Sequence, residues 1–285
     1  TAAHLLERCL LKRIAVLGQL GKADEMVQTL NATRPHFSWM PKAKTAKVVR
    51  VVVDTLGKVP GSEGLQVSLC REYIAWCVAE KRSFLKHRIQ ARLAGLLLSR
   101  GENADALSLL RDLQGEIKRL DDKPLLVEVF LLESRAHLAL RNNPRAKASL
   151  TAARSNANSI YVVPMLQAEL DMQSGMLNAN DRDFRTAYSY FYEAFEMLAT
   201  QLDESALALR CLKYMLLSKI MLNQTDDIAA ILNAKAALPF SSARDVEAMR
   251  AMAKAVKARS LDEFDRVKAD FPELEGDALV AHHLS

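Results

Sequence analysis

Apolar positions along the chain follow helical spacing, and one short pattern of them returns about every forty residues. In 101-GENADALSLLRDL-113, Ala106 is followed at i+4 by Leu110 and at i+7 by Leu113, which puts the three side chains on one helical face. Ala146, Leu150 and Ala153 repeat the pattern 40 residues later, and Ala187, Phe191 and Ala194 repeat it 41 residues after that. Counting back 80 residues from Ala106 reaches Met26, with Leu30 at i+4 and Gly21 aligned with Gly101. Counting forward 41 from Ala187 reaches Ile228, with Leu232 at i+4, and a further unit centred near Gln66 fills the remaining gap. A fixed period of this length marks stacked supersecondary units, each covering its neighbour's apolar face.

Each unit has room for two helices. Pro124, Pro144 and Pro164 fall twenty apart, near helix starts where a missing N–H costs little. Gly101 follows 91-ARLAGLLLSR-100 as a glycine just past a helix end. The spacing of Gly175, Ala187, Phe191 and Ala194 is that of a tetratricopeptide-like pair, in which small residues admit close helix approach and an aromatic fills the groove. The stretch 48-VVRVVVDTL-56 is β-branched enough for a strand. Val48, Val51, Val52 and Leu56 nevertheless share a helical face, and a lone strand would lack a partner, so a helix is predicted. The expectation is an all-α solenoid of tetratricopeptide-like helix pairs.

Composition agrees. Half of the 285 residues are apolar, and only 10 are Gly and 8 Pro. No apolar run approaches the roughly 20 residues needed to cross a bilayer, and the first nine residues do not open a secretory signal. A soluble, unsecreted chain is expected. Cys9, Cys70, Cys77 and Cys211 form no zinc spacing, and Cys70 and Cys77, two helical turns apart, are about 10 Å distant along an axis and too far to bridge. Reduced, buried thiols are expected.

Phosphate-loop, dinucleotide, zinc-protease and nucleophile-elbow motifs are all missing from the sequence. No catalytic residue, cofactor site or metal site is therefore predicted, and the chain reads as a non-enzyme. His282 and His283 read as a solvated terminus and His137 as a hydrogen-bonded groove residue. In 188-YSYFYEAF-195, the spacing of Tyr188, Phe191, Tyr192 and Phe195 predicts packing against neighbouring hairpins, with Tyr190 outside the stripe.

Charge adds one feature. Residues 1–100 hold 17 Lys/Arg against 7 Asp/Glu, whereas the remainder holds 22 against 27. A division follows into a basic helical-repeat segment, 1–120, and a C-terminal segment of tetratricopeptide-like repeats, 121–285. Lys42, Lys44, Lys47 and Arg50 cluster in one run, and Lys81, Arg88 and Arg92, seven and four apart, form a candidate stripe. These seven are the candidate protein-binding residues. Without interleaved exposed aromatics, nucleic acid is the weaker choice of partner, and neither nucleic acid nor membrane is expected.

The runs 60-PGSEGLQVSLCREYIAWCVAEKRSFLKHRIQARLAGL-96, 125-LLVEVFLLESRAHLAL-140, 164-PMLQAELDMQSG-175, 186-TAYSYFYEAFE-196 and 212-LKYMLLSKIMLN-223 closely resemble the regulatory subunit 11 family of the 26S proteasome, PCI-domain subunits of its lid. The resemblance implies a right-handed superhelix of helix pairs leading to a PCI winged helix, which would begin after 279-LVAHHLS-285. It further implies a scaffold role in ubiquitin-dependent degradation, in cytoplasm and nucleus. The implied partners are other lid subunits, an alpha-type subunit of the 20S core and an ATPase subunit of the base, the basic third being where the core contact is expected. Paralogous PCI scaffolds of the signalosome or of translation initiation share the helical-repeat plan and stand as the alternative.

Overall fold

The corners of the chain keep the same period as its apolar positions. Gly21, Gly61 and Gly101 adopt left-handed backbone at φ of 69°, 74° and 78°, and the series continues through Arg141, Arg182 and Asn223 at 57°, 66° and 55°. Lys81 and Asp121, both at 53°, mark corners halfway between. Glycine takes this conformation without penalty; the other residues adopt it at a cost of about 1 kcal/mol each, offset by the packing of the helices they join.

The computed structural model describes residues 2–202 and 205–284, and every regular element among them is helical. Its contacts divide the chain into two units, Thr1–Leu140 and Arg141–Ser285. The first holds α1 (Ala2–Gln19), α2 (Ala23–Thr33), α3 (Lys42–Leu56), α4 (Glu63–Ala79), α5 (Ser83–Ser99), α6 (Asn103–Leu120) and α7 (Lys123–Ala139). The second holds α8 (Asn143–Ala157), α9 (Pro164–Asn180), α10 (Phe184–Met197), α11 (Ser205–Met221), α12 (Asp227–Leu232), α13 (Arg244–Ala258), α14 (Leu261–Asp270), α15 (Glu273–Gly276) and α16 (Ala278–His283). Within each unit the longer helices pack mainly on their neighbours in sequence, as in a solenoid of hairpins.

The repeat positions form the cores. Met26, Leu30, Ala106, Leu110, Leu113, Ala146, Ala153, Ala187, Phe191 and Ala194 are at most 1% exposed, and Leu150, Ile228 and Leu232 are also buried. In the unit between, Gln66 takes the place of the small residue, followed by buried Cys70 and Tyr73. Its amide N–H donates to the Leu56 carbonyl at 3.3 Å and to Ser62 Oγ at 2.9 Å, so a polar side chain occupies the core without leaving the helix-end carbonyl bare. The β-branched stretch is helical, as predicted. Its buried stripe runs through Val48, Val49, Val52, Val53 and Leu56, and Val51 is only half-buried, because α3 is covered on two sides by α1 and α2.

Candidate protein-interaction surface

Lys42, Lys44, Lys47 and Arg50 all stand on α3 but do not share one surface. Lys44 and Lys47 turn toward α1, where their ammonium groups lie 3.0 and 3.4 Å from the buried carboxylate of Glu7. His4 Nδ1 joins the cluster, 3.7 Å from Glu7 and 3.5 Å from Lys44 Nζ. The Lys44 hydrogen bond, reinforced by Lys47, holds the Glu7 carboxyl below its ordinary range despite burial. These two lysines therefore fasten α1 to α3. Lys42 and Arg50 are exposed, form no ion pair among the described residues, and remain available to a partner.

The second group is also divided. Lys81 is not on α5: α4 ends at Ala79, Lys81 turns the corner in left-handed backbone, and α5 begins at Ser83. Arg88 and Arg92 are exposed one turn apart on α5, so the predicted stripe is a pair with Lys81 set apart at the corner. The Arg92 guanidinium lies over Gly57, in the turn after α3, where a Cβ would collide with Nη2.

An aromatic and cationic cluster, unforeseen in the sequence, lies at the C-terminal half of α4. Arg82 sits over the Trp76 ring at 4.7 Å, and Arg34 lies 5.5 Å from the Tyr73 ring and 5.8 Å from that of Trp76 while pairing with Glu72 at 2.7 Å. Phe37 meets Trp76 edge-on at 5.8 Å. The expectation of no exposed aromatics in the basic third needs correcting, since Trp39 is 74% exposed and Phe84 68%. Each is thrown outward at an element end, Trp39 closing a short 3-10 helix and Phe84 in the first turn of α5.

Other polar clusters join helices within each unit. Glu116 of α6 accepts from Lys86 at 2.6 Å and lies 2.7 Å from His87 Nε2, and these hydrogen bonds lower its pKa. In the second unit, Arg154 of α8 donates to Asp171 of α9 at 2.6 Å and to the Tyr190 hydroxyl of α10 at 3.3 Å, which gives Tyr190 a structural role. Burial raises the pKa of Asp171, against the opposing hydrogen bond of Gln167 and charge of Arg154. Lys213 and Tyr214 of α11 converge on Asp277, which also caps α16 by accepting from the Leu279 N–H. Burial pushes the Asp277 carboxyl up, but the hydrogen bond and charge of Lys213, together with Arg210 and Tyr214, outweigh it and leave the pKa lowered.

Three of the four thiols are muted by burial. Burial pushes the Cys70 and Cys77 thiols up to about 11 and Cys211 up to about 12, whereas Cys9 is exposed. His283 is half-buried with its ring 5.2 Å from that of Phe184, and burial lowers its pKa; the reading of a solvated histidine pair holds only for His282. Among the described residues no group of three His, Cys, Asp or Glu is arranged to hold a metal, and no helix is long and apolar enough to cross a membrane.

The family profile of the 26S proteasome regulatory subunit RPN6 N-terminal domain matches residues 1–100. The chain is 49% identical over 265 residues to the 26S proteasome non-ATPase regulatory subunit 11 homolog of Arabidopsis thaliana, covering 93% of this chain and 62% of the plant protein. Against the 26S proteasome non-ATPase regulatory subunit 11 of Dictyostelium discoideum, it is 42% identical over 280 residues, 98% of this chain and 67% of that protein. Against the 26S proteasome regulatory subunit RPN6 of Saccharomyces cerevisiae, it is 42% identical over 279 residues, 95% and 64% of the respective chains. The chain thus spans about two thirds of the length of its relatives.

Proposed function

Because the chain belongs to the 26S proteasome non-ATPase regulatory subunit 11 family, we propose that it serves as a scaffold of the proteasome regulatory-particle lid, joining lid subunits to the 20S core and the ATPase base in ubiquitin-dependent degradation. The observation that carries this reading is the 42–49% identity to proteasome regulatory subunits along nearly the whole chain. The architecture suits the role: stacked hairpins supply surface for other proteins, and scaffolding asks for no reacting group. The role places the protein in cytoplasm and nucleus, without a cofactor.

Within it, the exposed cations of the first hundred residues are the contact for an acidic protein surface on an alpha-type core subunit. Lys42, Arg50, Arg88 and Arg92 carry that contact, with Lys81 at its margin. The test uses purified core particle and intact regulatory particle as baits for the chain, at low and moderate salt. Lys42→Glu with Arg50→Glu should abolish capture by the core and leave capture by lid components intact. Lys44 and Lys47 stay unchanged, because reversing them would also break their pairing with Glu7. Equal capture of the double variant by the core would reject this surface, and failure of the unaltered chain to bind either particle would reject the scaffold reading.

A further inference from the structure

The C-terminal unit contains a groove unlike its surroundings. Between α12 and α13 lies an open cavity of about 380 Å³ whose floor is formed by buried Ile228, Leu232 and Ala253. One rim carries Arg250, Lys254 and Lys257, all exposed and spaced i, i+4, i+7, hence on a single face of α13 and about 10 Å from end to end. Among the described residues no carboxylate and no aromatic ring lines the cavity. Lys257 is already paired with Asp226. The side chains of Arg250 and Lys254 form no ion pair or hydrogen bond among the described residues. Two unpaired cations beside an apolar trough are the more distinctive because residues 101–285 carry an excess of acidic groups.

We propose that this groove docks an acidic amphipathic helix from a partner protein. A helix bearing carboxylates at i and i+4 matches the free Arg250 and Lys254, a third at i+7 competes with Asp226 for Lys257, and an aliphatic side chain beside them fills the trough. Unpaired cations favour a partner of opposite charge, through both encounter rate and register. The apolar floor supplies the burial that charge pairing at an exposed rim does not. A nucleic acid would use the cations but finds no ring to stack on and no use for the floor. This inference holds independently of which assembly the chain enters.

The probe is a fluorescein-labelled synthetic helical peptide of about 15 residues with glutamates at i, i+4 and i+7 and leucines on the adjoining face. Its binding to the full chain is followed by fluorescence anisotropy at about 0.05 and 0.3 M salt. Arg250→Glu with Lys254→Glu should weaken binding by roughly tenfold or more. Ala229→Trp, which fills the groove from an exposed position on α12 and alters no charge, should weaken it comparably. Peptides with glutamine for glutamate or serine for leucine should each lose most of their affinity. Circular dichroism establishes that both variants stay folded. Unchanged affinity in either folded variant, no binding of the parent peptide, or equal competition by a single-stranded oligonucleotide would overturn the proposal.

Discussion

Gly175 of α9 and Phe191 of α10 are in contact that leaves no room for a side chain between them: a Cβ added at Gly175 would fall 2.5 Å from Phe191 Cε1 and 2.6 Å from Cδ1. The ring also meets Tyr214 of α11, with centroids 5.2 Å apart. Phe191, fully buried, is therefore the element that spaces three successive helices, and a missing methyl on the first of them sets how close they come.

Gly175→Ala is expected to destabilise the chain. Overpacking at such a contact costs about 1–3 kcal/mol, partly offset by the gain of about 1 kcal/mol in helix propensity. Adding Phe191→Leu should recover stability in the alanine background while destabilising the parent. Urea unfolding of the four chains checks this coupling, and additive effects would contradict it.

Lys44→Glu should lower the midpoint of thermal unfolding, because it sets two carboxylates against each other between α1 and α3. Lys42→Glu should leave that midpoint essentially unchanged, since ordinary surface substitutions stay within about 0.5 kcal/mol. Differential scanning calorimetry of the two variants distinguishes the fastening lysine from the free one.

Removing the cation beside Asp277 should be costly. Both Lys213 and Asp277 have side chains only 10% exposed, so Lys213→Met takes the direct cation from a buried carboxylate that keeps the Tyr214 hydroxyl, the Leu279 N–H and the charge of Arg210, at a cost of about 1–3 kcal/mol. The pH sign follows from the lowered pKa of Asp277: its contribution is complete above the unfolded value near 3.8 and is lost as pH falls through the still lower folded value. Asp277→Asn should flatten that acid limb in denaturant titrations recorded across the range. An unchanged limb would show that the acid sensitivity lies elsewhere.

A thiol reagent applied to the native chain near pH 8 should modify Cys9 promptly and the three buried cysteines only on unfolding, given thiol pKa values of about 11 to about 12. Counting labelled sites by mass spectrometry before and after adding denaturant tests this.

Much of the fold was legible in the chain because the residues that form the cores recur in the same order. Ala106, Ala146 and Ala187 lie forty and forty-one apart, and each is fully buried. The corners were legible only through Gly101, since after it Arg141, Arg182 and Asn223 carry the same left-handed backbone without the residue that advertises it. Periodicity also says nothing of which charged side chain meets which. Glu7 and Lys44 lie 37 positions apart, so a run of lysines read as free surface proved to be half fastening. Lys81 failed as a member of a stripe for a related reason: helical spacing was extended across a helix end that no glycine marked.

The non-glycine corners have an effect of their own. A glycine there offers a neighbouring protein only backbone, whereas Arg141, Arg182 and Asn223 each hold a polar side chain in solvent at a hairpin's edge. Wherever the bend is made by such a residue, the small conformational penalty leaves a chemically distinct contact at that corner. One hairpin can thereby be told from the next by its rim while their interiors remain alike.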